Sequence, residues 1–354
     1  MPDWSGVQAL LDQGAAHGVA PHLVLLAWRS GAPAAHLAAG QARPDTVFDL
    51  ASLTKPLATA LVALHLELTG RLAWDDSLAQ IMGSPPVPPA KAGISLRQLL
   101  THASGYPAWR PFHELLERQP PALRPALLLA MLMNEPLAQA PGQAALYSDL
   151  GYMLLGLLLP RIAQQPLPLL LLEAQAALGV AGPRFLAPGQ TLVPLERIAP
   201  CGPLPGRPVI HGAVEDENAF ALGGAAGHAG LFGAAAQVAA VMDAICRCLA
   251  GDGPWPAEAV ARLFNRDADT PGSGRTPGFD TPGGPESAAG PNPPDGVVGH
   301  LGFTGVSLWW QPQANTGLVL LTNRVALGRA NDRIKAFRRA VHEAAWREIG
   351  RAHV

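Results

Sequence analysis

Ser52-Leu53-Thr54-Lys55 places a hydroxyl and an amine three residues apart, and positions i and i+3 share one face of a helix. A serine hydroxyl is a poor nucleophile at its own pKa and needs a neighbouring base. Lysine can serve if burial and nearby positive charge bring its pKa toward neutrality. Pro56 fits this placement, because proline is tolerated near a helix start, where the backbone N–H lacks a partner anyway. Ser52 then sits at a helix N-terminus, where the dipole favours a developing oxyanion. The plain alternative is a serine N-cap followed by a solvated lysine. The chain has only three lysines, Lys55, Lys91 and Lys335, among 25 basic residues. Where arginine carries most of the positive charge, a retained lysine points to a use for a titratable amine.

Two further segments carry usable chemistry. Tyr147-Ser148-Asp149 precedes an apolar helical run. A phenol in a cleft can pass protons between a serine and a leaving group; the alternative is a packed tyrosine beside an aspartate N-cap. His300-Leu301-Gly302 opens the strand-like run 303–311. Gly302 would let a substrate approach the backbone, and the Phe303 N–H could join that of Ser52 in an oxyanion hole. His228, between glycines, either faces the cleft or braces its loop. His102 is expected to hydrogen-bond at a helix end beneath the site. Asp216, Glu217 and Asn218 could line the cleft or cap a helix.

The elements that must position these groups follow from periodicity. Val7, Leu10, Leu11 and Ala15 form the stripe of an N-terminal helix within 1–19. Residues 22–29 and 34–39 read as a hairpin across Ser30-Gly31-Ala32-Pro33, and 46–50 as a short strand. Helical spacing follows at 57–68, ended by Gly70, then at 95–103, 123–133, 152–163 and 238–249. A Gly- and Pro-rich loop covers 264–298, strands return at 306–311 and 317–323, and an amphipathic helix closes at 330–349. The expected fold is mixed α+β: one antiparallel sheet built from both chain ends, flanked by the terminal helices, beside a large helical middle. Residues 1–55 and 231–354 would form the sheet-containing domain and 56–230 the helical one, with the site in the cleft between them.

The order S-x-x-K, Tyr-x-Asn, Lys/His-x-Gly resembles the penicillin-recognising serine enzymes: DD-peptidases, class C β-lactamases and related esterases. The agreement extends to Phe48 through Leu57, Leu99 through Gly105, Tyr147 through Tyr152, Gly227 through Phe232 and Gly299 through Gly305. It spans about 20 to 325, in order. The resemblance implies a β-lactamase/transpeptidase-like fold, with Ser52 as acylated nucleophile and Lys55 as proton acceptor. It makes Tyr147 the relay that also serves deacylation, puts His300 at the Lys/His position, and makes Phe303 the second oxyanion donor. One position departs: the family's asparagine is Asp149 here. An ionised aspartate cannot donate to a substrate carbonyl, but it could pair with Lys55 and raise the amine's pKa. That favours an ester, another small acyl substrate or a ligand bearing an amine over a β-lactam or D-Ala-D-Ala.

Composition narrows the remaining possibilities. The 354 residues are about half apolar, enough for a full core, and the formal net charge of −2 has no basic block for nucleic acid or an anionic membrane. Cys201, Cys246 and Cys248 fit neither a disulfide framework nor zinc spacing, and no His/Asp/Glu cluster has ligand spacing. No cofactor or metal is expected. No basic-then-apolar leader is seen, and the apolar runs 153–159 and 167–172 are too short to span a bilayer. The expectation is a cytoplasmic monomer or weak homo-oligomer, with a small-molecule substrate and without nucleic-acid or membrane partners. It would hydrolyse small esters or amides through an acyl-serine. The rivals are a DD-carboxypeptidase or β-lactamase and, from another class, a catalytically idle binding protein. Asp149, His300, Gly302 and His228 are the candidate substrate-binding residues, and Ser52, Lys55 and Tyr147 the catalytic ones.

Overall fold

The computed structural model describes residues 2–83, 86–186, 193–204, 206–207, 209–284 and 286–351. Met1, before the first helix, and Pro285, in the long loop, lie outside them. The main sheet contains β1 (His22–Arg29), β2 (Ala32–Gly40), β6 (Val298–Leu301), β7 (Ser307–Gln311) and β8 (Thr316–Thr322), in the order β2-β1-β8-β7-β6, all antiparallel. Both chain ends therefore build one sheet, and the β1/β8 register sets Leu25 opposite Leu320.

Alternation along the strands decides what covers each face. Val24, Leu26 and Trp28 of β1, with Val319 and Leu321 of β8, face the helical body. Leu23, Leu25 and Ala27, with Leu318 and Leu320, face the other way. They pack on Val7 and Leu11 of helix Ser5–Ala16 and on Val341, Ala345 and Ile349 of helix Ile334–Arg351. A strand covered on both faces reads as a continuous apolar run, which is why β1 is buried along nearly its whole length.

The helical body centres on helices Leu61–Leu68, Asp149–Ala163 and Leu167–Leu178, whose leucines share one core with the inner face of the sheet. No single helix among the described residues is long and apolar enough to cross a membrane. A second, three-stranded sheet was not foreseen, although its first strand falls within the short strand expected at 46–50. It joins β3 (Phe48–Asp49), β5 (Leu231–Gly233) and β4 (Arg184–Phe185) in the order β3-β5-β4. Its strands are two or three residues long, too short to show periodicity in one sequence. It ties the segment just before Ser52 to the end of the Gly227–Phe232 block.

Two local expectations need correction. His300 does not open the strand that follows it: it lies on β6, opposite Leu308 of β7, and Gly302 to Val306 form the turn between the two strands. The N-cap of helix Asp149–Ala163 is Ser148, whose Oγ accepts the Gly151 N–H at 3.2 Å, so Asp149 is not the cap.

Candidate active site

Ser52 lies in a short 3-10 turn, Ala51–Leu53, that runs into a wide π-type turn, Lys55–Ala60, and then helix Leu61–Leu68. The π-type turn carries Pro56 at its start, where the missing N–H costs nothing. Such turns often mark functional sites. This geometry brings Lys55 Nζ to 3.0 Å from Ser52 Oγ. The Tyr147 hydroxyl, just before the 149–163 helix, donates to the same oxygen at 2.9 Å. Sequence positions 52, 55 and 147 therefore meet at one atom.

Lys55 is fully buried and has two further partners: the His228 carbonyl at 3.1 Å and Asp149 Oδ1 at 2.7 Å. Its ammonium also sits 5.0 Å from the centre of the Tyr147 ring. Burial alone would lower its pKa, but Asp149 and then Tyr147 outweigh it, and the amine is held above its ordinary value. A base poised near neutrality is therefore not what the resting site contains: Asp149 supplies an anion where a positive neighbour was needed. The Tyr147 phenol is pushed up as well, by burial first, against the opposing pull of Lys55.

His300 turns Nδ1 toward the Leu301 carbonyl at 2.7 Å, so Nδ1 carries the proton and the buried Nε2 is left as an acceptor without a partner among the described residues. Burial, then Lys55, pushes its pKa down to about 3, and the ring is neutral. It stands 5.9 Å from the Tyr147 ring, centre to centre. His102 does lie beneath the site. It has a left-handed backbone at the end of helix Leu96–Leu100, accepts the Ser148 N–H at Nδ1, and packs 4.6 Å from Tyr147. His228 both lines the cleft and braces its loop: Nε2 meets Asp216 Oδ1 at 2.8 Å. Asp216 also caps helix Glu217–Ala221 through the Ala219 N–H. Asn218 holds the His113 N–H and the Arg110 carbonyl instead of facing the cleft.

Gly302 lines the cleft, and packing requires a glycine there as well. A Cβ there would come within 2.3 Å of Val306 Cγ2 and 2.9 Å of the Leu50 carbonyl. The glycine lets the Gly302–Val306 turn press against the Ser52 turn. Phe303 rides on that turn with its ring about half exposed, backed by the guanidinium groups of Arg324 and Arg329. No protein group among the described residues accepts the backbone N–H of Ser52 or Phe303, and both residues line the cleft.

That cleft encloses about 980 Å³, with Trp109 and Phe303 as its exposed aromatics. The loop expected over 264–298 supplies two wall residues that nothing in the sequence singled out. Arg275 lies 5.4 Å from the Tyr147 ring centre and pairs with Asp280 at 3.1 Å. Glu217, expected to line the cleft or cap a helix, does line it, while Glu215 and Arg329 were missed; Arg329 is paired to both acids at 2.6 Å. Their partners are more than a hundred residues away in the chain, so spacing gave no signal. Among the described residues no group of three or more His, Cys, Asp or Glu is arranged to hold a metal ion.

A serine touched by both a lysine and a tyrosine, under a glycine-bearing turn at the sheet edge, is the geometry the resemblance implied. The beta-lactamase family model matches residues 7–343. The chain belongs to the beta-lactamase family. An Escherichia coli O157:H7 protein named "Putative D-alanyl-D-alanine carboxypeptidase" is 29% identical over 321 residues, covering 80% of this chain and 70% of that protein. Among solved structures, EstCE1, "a hydrolase with promiscuous acyltransferase activity", has a TM-score of 0.72 at 22% identity and covers 96% of this chain and 97% of its own. The octameric penicillin-binding protein homologue from Pyrococcus abyssi has a TM-score of 0.70 at 18% identity, covering 91% and 73%. At these identities the solved structures establish the mixed α+β fold of the beta-lactamase family member.

Proposed function

We propose that this beta-lactamase family protein is a serine hydrolase that transfers an acyl group from a small ester or amide to water through an acyl-serine at Ser52. The observation that carries the reading is the convergence of Lys55 Nζ at 3.0 Å and the Tyr147 hydroxyl at 2.9 Å on Ser52 Oγ. Both are within reach for proton transfer. Ser52 attacks the acyl carbon, its proton passes to the Lys55–Tyr147 pair, and the same pair returns a proton to the leaving group. The N–H groups of Ser52 and Phe303 are the donors for the tetrahedral oxyanion. Because Lys55 holds its proton above the ordinary range, acylation draws on the deprotonated fraction and speeds up as pH rises. Neutral His300 presents an acceptor beside Tyr147.

Asp149 favours esters within this class. Its carboxylate lines the cleft where an amide donor would serve an amide-bearing substrate, and a carboxylate offers acceptors only. A second reading, hydrolysis of D-Ala-D-Ala peptides or β-lactams, is favoured by the name of the Escherichia coli relative. The experiment is covalent labelling by a fluorophosphonate, followed by p-nitrophenyl esters, nitrocefin and D-Ala-D-Ala peptides run side by side. Labelling must be lost in Ser52→Ala, with turnover falling by about 10⁴-fold. A wild-type protein that is not labelled would be a binding protein on this fold, not an enzyme.

A further inference from the structure

We infer that Asp49 is a positioning residue for the reaction: its buried carboxylate holds the backbone turn that presents Ser52 and, through the 215–217 segment, the contacts that seat Lys55. This rests on the acyl-serine reading above.

Ala51, directly before the nucleophile, has φ +46°. Residues with a Cβ adopt this left-handed conformation only at a cost, and such a conformation persists where its surroundings impose it. Asp49 imposes this one. Its Oδ1 accepts the Ala51 N–H at 2.8 Å. Its Oδ2 accepts the Glu215 N–H at 2.7 Å, and its backbone carbonyl accepts the Thr304 hydroxyl at 2.9 Å. The side chain of this residue, 2% exposed, thus joins the Ser52 turn to the acidic segment, and its backbone carbonyl ties in the turn that carries Phe303. The link continues: Glu215 precedes Asp216, Asp216 holds His228 Nε2 at 2.8 Å, and the His228 carbonyl accepts from Lys55 Nζ at 3.1 Å. Nucleophile and lysine are both referred to the same carboxylate.

The two N–H donors require two acceptors, which an ionised carboxylate has. A protonated carboxyl or an asparagine amide sets a donor against one of them. Among the described residues Asp49 forms no ion pair. Burial raises its pKa, the two N–H bonds lower it, and Glu215 and Asp216 raise it further, leaving it at about 7. Among the described residues, Cys201 and Arg207 also lie close enough to interact with its charge. Its ordinary value is 3.8, so the shift is upward. The two-acceptor form exists above about 7 and is lost as pH falls through that value.

The test is the second-order rate of Ser52 modification by a fluorophosphonate from pH 5 to 9, with circular dichroism to confirm folding. It compares wild type, Asp49→Asn, Ala51→Gly and the double variant. Asp49→Asn should slow labelling by about 10- to 100-fold at pH 8, the scale of one charge-assisted hydrogen bond, and should remove the step near pH 7, leaving only the steady rise that Lys55 deprotonation gives. Glycine takes the left-handed conformation without strain, so the cost of Asp49→Asn should shrink by about fivefold or more in the Ala51→Gly background. Equal cost in both backgrounds overturns the inference, as does labelling of Asp49→Asn at the wild-type rate with the wild-type pH rise. If Asp49→Asn does not fold, wild type against Ala51→Gly decides: the rise near pH 7 must weaken in the glycine variant, and an identical rise overturns the inference. Absence of labelling in wild type fails the acyl-serine reading itself and is recognisable as that.

Discussion

Replacing Asp149 by asparagine changes two things at once, and the geometry sizes both. Asp149 Oδ1 lies 2.7 Å from Lys55 Nζ, with the amine fully buried and the carboxylate side chain 18% exposed. At an effective dielectric constant of about 20, unit charges at that separation attract by about 6 kcal/mol. Solvent at the carboxylate and the oxygen retained by the amide offset much of this. What remains still favours the protonated amine, because a close opposite charge stabilises the charged form. Lys55 should therefore titrate lower in Asp149→Asn, and the acid limb of the pH–rate profile should move downward. The amide also offers the donor that the carboxylate lacks. One hydrogen bond contributes about 0.5–1.5 kcal/mol, so acylation by a β-lactam should rise up to about tenfold relative to ester hydrolysis. The assay is kcat/KM for nitrocefin and p-nitrophenyl butyrate from pH 5 to 9 in both forms. Both changes should appear together because they share one cause. An unchanged substrate ratio with an unchanged acid limb would refute the argument and leave Asp149 as a structural ion-pair partner.

Lys55→Arg should cost nearly as much activity as losing Ser52, since a guanidinium keeps the charge but cannot release a proton; single-turnover acylation measures it. His300→Gln should leave every limb of the pH–rate profile between 5 and 9 where it is, because a ring held near 3 is neutral throughout. A limb that disappears in that variant would contradict the neutral assignment. Gly302→Ala should preserve helix content but lower kcat/KM by about tenfold or more. Its Cβ would strike Val306 and the Leu50 carbonyl, displacing the turn that carries Phe303, and small misplacements of catalytic groups are costly. Wild-type kcat/KM in that variant would mean that the turn is not part of the site.

Much of the site was legible because its parts are local. Ser52 and Lys55 lie three residues apart, and their contact follows from helical spacing. Tyr147 and His300 stood out because a phenol and an imidazole each sat in a short block at an element boundary. The sheet built from both chain ends was legible for a similar reason: strands of eight and seven residues, His22–Arg29 and Thr316–Thr322, are long enough to announce themselves. Of the second sheet only β3, inside the strand expected at 46–50, was legible; β4 and β5, of two and three residues, were not.

What one sequence determines here is residue chemistry and short-range geometry: which hydroxyl has an amine one helical turn away, which strands must be covered, and that position 149 carries a carboxylate acceptor. Tertiary structure decided the electrostatics. Lys55 lies beside Asp149 and the His228 carbonyl instead of a second cation, so its pKa moves up and not down. Asp49 became a shared acceptor only when Glu215, 166 residues away, was brought to its second oxygen. Arg275, from a loop with no periodicity, reached the Tyr147 ring in the same way. A pKa depends on burial and on charges within a few ångströms. Those distances are set by packing between distant segments, and no local spacing encodes them.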